Sequence, residues 1–246
     1  MRHAAFNGWE ESIFMVMFWH TLSFRQVGGS QCQVCHSWPT QPVCEACVSQ
    51  FAQPCHRCST CALPLSDGLT QCGACLTNPH ALDVCLTAVG YAFPWVHLIS
   101  AFKFQDNTAL AHSFAQLMRA TPWVEPALEA ADMVLPVPLS NQRLQERGYN
   151  QSLLLARALH PKKARADLLW RIKDTPAQHT LGRKQRLSIL SHAFAVDPLK
   201  VTVLQGARLI LVDDVMTTGA SLYESARVLK AAGVAQITAL VIARTE

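Results

Sequence analysis

Two adjacent carboxylates, Asp213 and Asp214, directly follow an apolar run that begins at Leu209. A buried parallel strand that ends in acidic residues places their side chains in a crevice at its carboxyl end. The turn Thr217–Ser221 comes next, before an alanine- and leucine-rich helical pattern. Such a turn leaves backbone N–H groups free at a helix N-terminus, where they can hold a phosphate. Carboxylates beside an anion cradle suit a ligand with hydroxyls next to a phosphate, such as ribose 5-phosphate.

The cysteines form a second group of residues that could carry out chemistry, as metal ligands. Nine of the ten lie between positions 32 and 75, most of them in Cys-x-x-Cys pairs. The two-residue gap lets both thiolates reach one ion, and two pairs complete a tetrahedral zinc site with Zn–S distances of about 2.3 Å. Pairing in chain order predicts two structural zinc sites. The first is Cys32, Cys35, Cys44 and Cys47, and the second is Cys58, Cys61, Cys72 and Cys75.

Spacing alone leaves other arrangements of these cysteines open. Cys55 can pair with Cys58 and displace Cys61, and alternate pairs can be cross-braced. Disulfides are a rival interpretation in a secreted protein, and four thiolates also suit an iron–sulfur cluster. The large apolar domain that follows needs no covalent staples, and the pairs are flanked by Pro, Gln and His, which favours zinc.

Length and composition indicate one good-sized domain and a small module. We expect a poorly specified leader over residues 1–30, a double zinc-knuckle module over 31–80, and a second domain over 84–246. No run of about 18 or more uncharged apolar residues occurs, so a membrane span is not expected. Glu10 and Glu11 stand where a signal peptide is basic. We therefore expect a cytoplasmic protein.

The second domain alternates apolar runs with helical patterns, which predicts an α/β fold with a mostly parallel sheet flanked by helices. We expect strands at 84–93, 132–137, 167–172, 208–212 and 236–243. We expect helices at 96–104, 109–119, 150–159, 183–190 and 221–232. Gly233 stands where a helix C-cap is expected.

Charge is unevenly distributed along the chain. Residues 141–190 contain eleven Lys and Arg against three acids, a net of +8, whereas residues 1–80 contain three against four, a net of −1. A basic segment of this kind points to a phosphate-bearing partner, either a pyrophosphate or a nucleic-acid backbone. A solvated basic surface is the ordinary alternative.

Three features together resemble the ComF family, bacterial competence-type proteins that join an N-terminal zinc module to a phosphoribosyltransferase-like domain. Residues 209–221 are similar to the phosphoribosyl-pyrophosphate (PRPP) loop of type I phosphoribosyltransferases. An ordinary polar turn explains Gly219 but not an acid pair before Thr-Thr-Gly. The cysteine pairs are the second feature. The third is Leu135-Pro-Val-Pro138 followed by Arg143 and then by Arg147-Gly-Tyr-Asn-Gln151.

The resemblance covers about residues 32–244. Lys103 fits a family lysine that follows an apolar helix, and further family positions are matched by Thr175, Gln178, and Arg186 before Ala193-Phe194. The chain departs from the family at Ile189, where an asparagine is typical, so a polar contact made by that asparagine is not expected here.

The resemblance implies roles for the site residues. Asp213 and Asp214 would engage the ribose hydroxyls, through Mg²⁺ and water. The backbone N–H groups and hydroxyls of Thr217, Thr218, Gly219, Ala220 and Ser221 would hold the 5-phosphate. Candidate pyrophosphate contacts are Arg143, Arg147 and Lys103; for Lys103 the alternative is a solvated helix end, which we favour slightly less. Asn150 and Gln151 can instead cap the following helix.

The sequence thus predicts a ComF-like protein that binds PRPP with Mg²⁺ and is linked to DNA uptake or nucleotide metabolism, with other competence proteins as partners. Phosphoribosyl transfer needs no dedicated acid or base, since positioning and electrostatic stabilisation can supply the catalysis. The alternative is a non-catalytic competence factor that grips single-stranded DNA with the zinc module and the basic segment, including Lys162, Lys163 and Arg165. A purely structural zinc scaffold leaves the carboxylate pair unexplained.

Overall fold

A computed structural model of the protein describes residues 29–173 and 192–246. The helix expected at 183–190 lies outside the described residues, as do the first 28 residues of the expected leader. The same holds for four family-motif positions: Thr175, Gln178, Arg186 and Ile189.

The helices and strands that the sequence predicts within the described residues are present in the predicted order, together with further short elements that were not predicted. The strands are β1 Val84–Gly90, β2 Met133–Pro136, β3 Leu169–Arg171, β4 Phe194–Val196, β5 Arg208–Met216 and β6 Gln236–Arg244. The helices are α1 Glu45–Phe51, α2 Gly73–Thr77, α3 Trp95–Phe104, α4 Leu110–Arg119, α5 Val124–Ala130, α6 Asn141–Arg147, α7 Gln151–Leu159, α8 Val201–Leu204 and α9 Ala220–Ala231. None of the helices in this part of the chain is long and apolar enough to cross a membrane.

The main sheet has four parallel strands in the order β1-β6-β5-β2. Its two central strands are each nine residues long and mostly buried, because helices cover both faces. Strand β5 extends beyond the expected end at Val212, and Asp213 still pairs with Val241 of β6. The acid pair therefore lies on a strand fixed by hydrogen bonds to its neighbour and not on a loose turn.

Strands β3 and β4 pair antiparallel in a separate two-stranded sheet. The expected strand at 167–172 is shorter in the structure, and its partner β4 was not predicted from the sequence. The two-stranded sheet packs against α9 through Leu169 and Phe194, which belong to the same buried cluster as Leu222.

Two apolar cores lie on opposite faces of the main sheet. Alternating residues of β5, such as Leu211 and Val212, point into different cores. One core contains helices α3, α4, α5 and α7 together with Cys32, Cys44 and Cys47. The other contains α9 and the β3–β4 sheet together with Cys58, Cys61, Cys72 and Cys75. The two cysteine groups therefore pack on opposite faces of the α/β domain; the domain division at residues 80–84 stays a prediction.

Candidate functional site

A cleft of about 400 Å³ opens at the carboxyl ends of β5 and β2. Every residue that the sequence analysis proposed for ligand binding lines this cleft: Lys103, Arg143, Arg147, Asp213, Asp214, Thr217, Thr218, Gly219, Ala220 and Ser221. The structure also places Tyr91, Phe104, Glu146 and Arg171 along its walls. These four were not predicted, because no local motif marks them.

The acid pair is held by three neighbouring groups. The hydroxyl of Ser152 and the backbone N–H of Asp214 both donate to Oδ1 of Asp213, each at 2.9 Å. Nζ of Lys103 lies 2.7 Å from Oδ1 of Asp214. Asp214 thus has a counter-ion, whereas Asp213 has only neutral hydrogen-bond donors.

This difference sets the protonation of Asp213. Burial raises the pKa of its carboxyl to about 7, and the nearby charge of Asp214 adds to the increase, against a smaller opposing effect of Lys103. Near neutral pH Asp213 is therefore only partly ionised, and the acid pair carries a total of between one and two negative charges. A cation or a hydroxyl-rich ligand that enters the cleft stabilises the fully ionised pair.

Residues Thr217–Ser221, the phosphate loop, connect β5 to the twelve-residue helix α9. Gly219 is the N-cap of α9 with φ +79°. A Cβ at this position would lie 2.6 Å from side-chain atoms of both Met216 and Tyr223, so only glycine fits without displacement.

Glycine has no side chain with which to cap the helix, and the hydroxyl of Thr218 accepts from the N–H of Ala220 at 3.4 Å. The next N–H groups of the helix have no intrahelical acceptor, so they are available to an anion in the cleft.

Helix α6 presents the two arginines of the third motif. Ser140 caps this helix by accepting from the N–H of Arg143, and Gly148 ends it in a left-handed conformation. Nη1 of Arg147 donates to Gln151 at 2.8 Å, and its guanidinium lies 4.9 Å from the centre of the Phe104 ring. Burial lowers the pKa of Arg147, but an arginine stays charged at any physiological pH.

Asn150 has a structural role. Its side-chain oxygen caps α7 by accepting from the N–H groups of Ser152 and Leu153, and its amide donates to the carbonyl of Val137 at 3.1 Å. The interpretation of Asn150 as a helix cap is confirmed. Asn150 thereby ties the start of α7 to the segment after β2 and positions Ser152, which in turn holds Asp213.

The cysteines gather in the two groups predicted by pairing in chain order. In each group the four sulfur atoms lie within 4.8 Å of one another. We call Cys32, Cys35, Cys44 and Cys47 the first cysteine group, and Cys58, Cys61, Cys72 and Cys75 the second cysteine group. Cys55 is exposed and belongs to neither, so the alternative with Cys55 as a ligand and the cross-braced arrangement are both wrong.

The chemistry of both groups fits structural zinc. All the cysteines in the described residues are free thiols, which excludes the disulfide framework within that part of the chain. Backbone N–H groups of Val34 and Cys44 donate to the sulfur of Cys32, and the N–H of Cys72 donates to that of Cys58. Burial opposes ionisation of Cys58, but backbone donors outweigh it and lower the pKa of this thiol to about 7. Four thiolates grouped in this way can bind zinc in a closed, non-catalytic site.

Some side chains of the basic segment form hydrogen bonds or ion pairs within the protein. Nζ of Lys163 donates to the carbonyls of Leu128 and Glu129 at the end of α5, at 2.9 and 3.0 Å. Arg165 forms two hydrogen bonds with Asp167, at 2.8 and 2.9 Å. Lys162 is exposed. Lys163 and Arg165 are therefore less available to a polyanion than the exposed Lys162.

The parallel sheet, the acid pair and the phosphate loop together define a phosphoribosyltransferase-type domain. The sequence profile of the family described as "Phosphoribosyl transferase domain" matches residues 155–246.

The relatives extend this assignment to nearly the whole chain. "DNA utilization protein YhgH" of Escherichia coli strain K12 is 30% identical over 214 residues, which cover 82% of this chain and 90% of that protein. "Competence protein F" of Haemophilus influenzae is 31% identical over 210 residues, with the same coverage of the two chains. "Competence protein ComFC" of Bacillus subtilis is 28% identical over 220 residues, 81% of this chain and 84% of its own. The chain belongs to the ComF family.

Proposed function

We propose that the cleft binds the ribose 5-phosphate part of PRPP together with Mg²⁺. One observation carries the proposal: an acid pair and the glycine-capped N-terminus of a twelve-residue helix line the same cleft. The first suits vicinal hydroxyls and a divalent cation, and the second suits a phosphate. A sugar phosphate is the simplest ligand that uses both.

The proposed pose assigns each wall of the cleft to one part of the ligand. The 5-phosphate accepts hydrogen bonds from N–H groups of the phosphate loop, and the 2- and 3-hydroxyls face Asp213 and Asp214. The pyrophosphate lies towards Arg143 and Arg147, whose planar guanidinium groups donate paired hydrogen bonds to phosphate oxygens. Lys103 already pairs with Asp214, so it reaches the pyrophosphate only by exchanging that partner.

The same pose supports phosphoribosyl transfer to a nitrogen nucleophile. The bond from C1 of the ribose to the pyrophosphate oxygen breaks, a bond from C1 to nitrogen forms, and the nitrogen loses its proton to solvent. Positive charge that develops on the ribose is stabilised by the acid pair, and the arginines stabilise the departing pyrophosphate. Mg²⁺, held by the ligand and by the carboxylates of Asp213 and Asp214, would supply additional positive charge at the leaving oxygens.

The names of the relatives favour a second candidate function, binding of single-stranded DNA during DNA uptake, in contact with other competence proteins. The described basic residues give it limited support. Lys163 and Arg165 are engaged within the protein, so charge reversal at either would destabilise the fold as well as weaken DNA binding. Lys162→Glu is the cleaner test, because this side chain is exposed. It should weaken DNA binding and reduce its salt dependence.

A ligand-stabilisation screen distinguishes the two functions. The full chain is heated with PRPP and Mg²⁺, with PRPP alone, with ribose 5-phosphate, and with single-stranded DNA. Our proposal predicts an increase in Tm with PRPP that is largest with Mg²⁺ and is lost in the double variant Asp213→Asn, Asp214→Asn.

The matched control for this screen is Asp106→Asn. Asp106 is exposed, does not line the cleft, and has φ +52°, which asparagine adopts readily. This variant should respond to PRPP as the unaltered protein does. Stabilisation by DNA alone, with no response to PRPP, would refute the proposed function in favour of the second candidate.

A further inference from the structure

The guanidinium of Arg244, at the end of β6, joins the second cysteine group to the phosphate loop. Its Nε donates to the carbonyl of Cys61 at 2.8 Å. Its Nη1 donates to the carbonyls of Met216 and Thr217 at 3.1 and 2.5 Å, and also to the carbonyl of Thr245. The side chain is buried, with 6% of the residue exposed. One cation therefore holds a metal-ligand residue and the first residue of the phosphate loop at the same time.

A second contact joins the same two parts of the molecule. The ring of His80, just after α2, stacks on the ring of Tyr223 in α9, with 3.6 Å between centroids and 10° between planes. Tyr223 is also the residue against which Gly219 packs. The buried cluster that contains the second cysteine group includes Met216 and Ala220 as well. The segment that contains the second cysteine group therefore packs against the phosphate loop and its neighbouring residues.

The first cysteine group has different neighbours. Among the described residues, its cluster contains α3, α4, α5 and α7 but no residue of α9 or of the phosphate loop. Its segment is tied to the α/β domain by the indole of Trp95, which donates to the carbonyl of Phe51 at 2.8 Å. The two groups use the same chemistry, and among the described residues only the cluster of the second includes a residue of the phosphate loop.

The bonds of Arg244 are interdependent because the side chain is charged and buried. Hydrogen bonds from an ionised donor are the strong ones, and a buried cation that loses a partner seeks another. If the turn at Cys61 moves when the second group loses its metal, the guanidinium loses one of its four carbonyl acceptors. It must then shift, and the carbonyls of Met216 and Thr217 lose their position with it.

We infer that metal binding at the second cysteine group and anion binding at the phosphate loop are thermodynamically coupled, with Arg244 as the positioning residue that connects them. The inference rests on the proposed function for the identity of the anion, a ribose phosphate. Because coupling between two binding sites is reciprocal, ribose 5-phosphate also strengthens metal retention at the second group.

The test compares Arg244→Lys with Arg57→Lys in the full, zinc-loaded chain. Arg57 donates to the carbonyl of Ala62, next to Cys61, and does not line the cleft. Both substitutions remove a guanidinium from the same turn, but only Arg244 also holds the phosphate loop. Titration calorimetry with ribose 5-phosphate should give a Kd raised at least about fivefold in Arg244→Lys, as expected for a coupling of ordinary size. In Arg57→Lys the Kd should match that of the unaltered protein. The zinc content should be the same in the unaltered protein and in both variants.

A second experiment measures how well the backbone amides of the phosphate loop are protected when no ligand is present. Amide hydrogen exchange over residues 217–221 should accelerate in Arg244→Lys and in Cys58→Ser, which removes a ligand of the second group. Cys35→Ser, which removes a ligand of the first group, should accelerate exchange in these residues much less. A merely structural role for Arg244 would lower Tm without a selective change in the loop.

The two experiments separate the inference from the proposed function. If the unaltered protein does not bind ribose 5-phosphate but the loop responds to Arg244→Lys and Cys58→Ser, the link through Arg244 from the second cysteine group to the loop stands and the proposed function, with ribose phosphate as the anion, fails. If ribose 5-phosphate binds and Arg244→Lys neither weakens it nor alters exchange in the loop, the inference is wrong. Equal responses to Cys58→Ser and Cys35→Ser would also overturn it.

Discussion

Asp213→Asn should make the free protein more stable at alkaline pH while it removes ligand binding. Asparagine has nearly the shape of aspartate, and its Oδ1 can still accept from the hydroxyl of Ser152 and from the N–H of Asp214. The substitution therefore keeps the local hydrogen bonds and removes only the buried charge. In the absence of a bound ligand, this buried charge lowers the free energy of unfolding of the protein.

The magnitude follows from the raised pKa. Burial, and then the charge of Asp214, raise the pKa of Asp213 from its ordinary 3.8 to about 7. Between these values the folded state binds a proton that the unfolded chain has released, so stability falls as pH rises from about 4 to 7 and is level above that. The full shift corresponds to roughly 4 kcal/mol. Because the shift is shared with Asp214, we expect the Asp213→Asn variant to recover about 2 kcal/mol at pH 8.

Urea denaturation at pH 5 and pH 8 measures this effect. At pH 5 the variant should be more stable than the unaltered protein by only about a third of its advantage at pH 8, because the loss of stability linked to the proton begins near pH 4. At pH 8 the variant should be the more stable, and PRPP with Mg²⁺ should no longer stabilise it. Asp106→Asn, on the exposed surface, should show neither effect. A variant that is destabilised equally at both pH values would refute the reasoning, because it would mean that Asp213 is ionised and favourably placed in the free protein.

Three further predictions test other parts of the site. Gly219→Ala places a Cβ 2.6 Å from side-chain atoms of Met216 and Tyr223, at a residue with φ +79°. Urea denaturation should show a free energy of unfolding lowered by about 1–3 kcal/mol, and calorimetry should show weaker binding of ribose 5-phosphate. Lys103→Met removes the cation that lowers the pKa of Asp213, so PRPP–Mg²⁺ binding should require a higher pH, and an unchanged pH profile would contradict this. Metal analysis should return about two zinc ions per chain, and a chelator that removes them should lower Tm; a zinc-free protein of full stability would rule out structural zinc.

The sequence predicted the features that are local along the chain. Strands β5 and β6 consist mainly of apolar residues, the acid pair follows the apolar part of β5, and the phosphate loop follows the strand directly, so these features could be predicted from the local sequence. The cysteine groups were also predicted, because two-residue spacing limits which thiolates can meet. Helix α6 was missed because none of its residues is buried and it has no apolar periodicity. Strand β4 is only three residues long.

Contacts between distant positions could not be predicted from the sequence. Ser152 and Asp213 are 61 positions apart, and Arg244 and Cys61 are 183 apart. Each pair meets only because the parallel sheet brings the carboxyl ends of its strands to one edge. A lone arginine in the last apolar strand has no sequence feature that distinguishes it from a surface residue, yet it anchors the phosphate loop.

A crystal structure of the full chain grown with ribose 5-phosphate tests the central claim most directly. We predict that the phosphate lies within hydrogen-bond distance of the N–H groups of residues 217–221, with the sugar hydroxyls turned towards Asp213 and Asp214. Density for the phosphate at any other surface, or a cleft that stays empty at saturating ligand, would contradict the account.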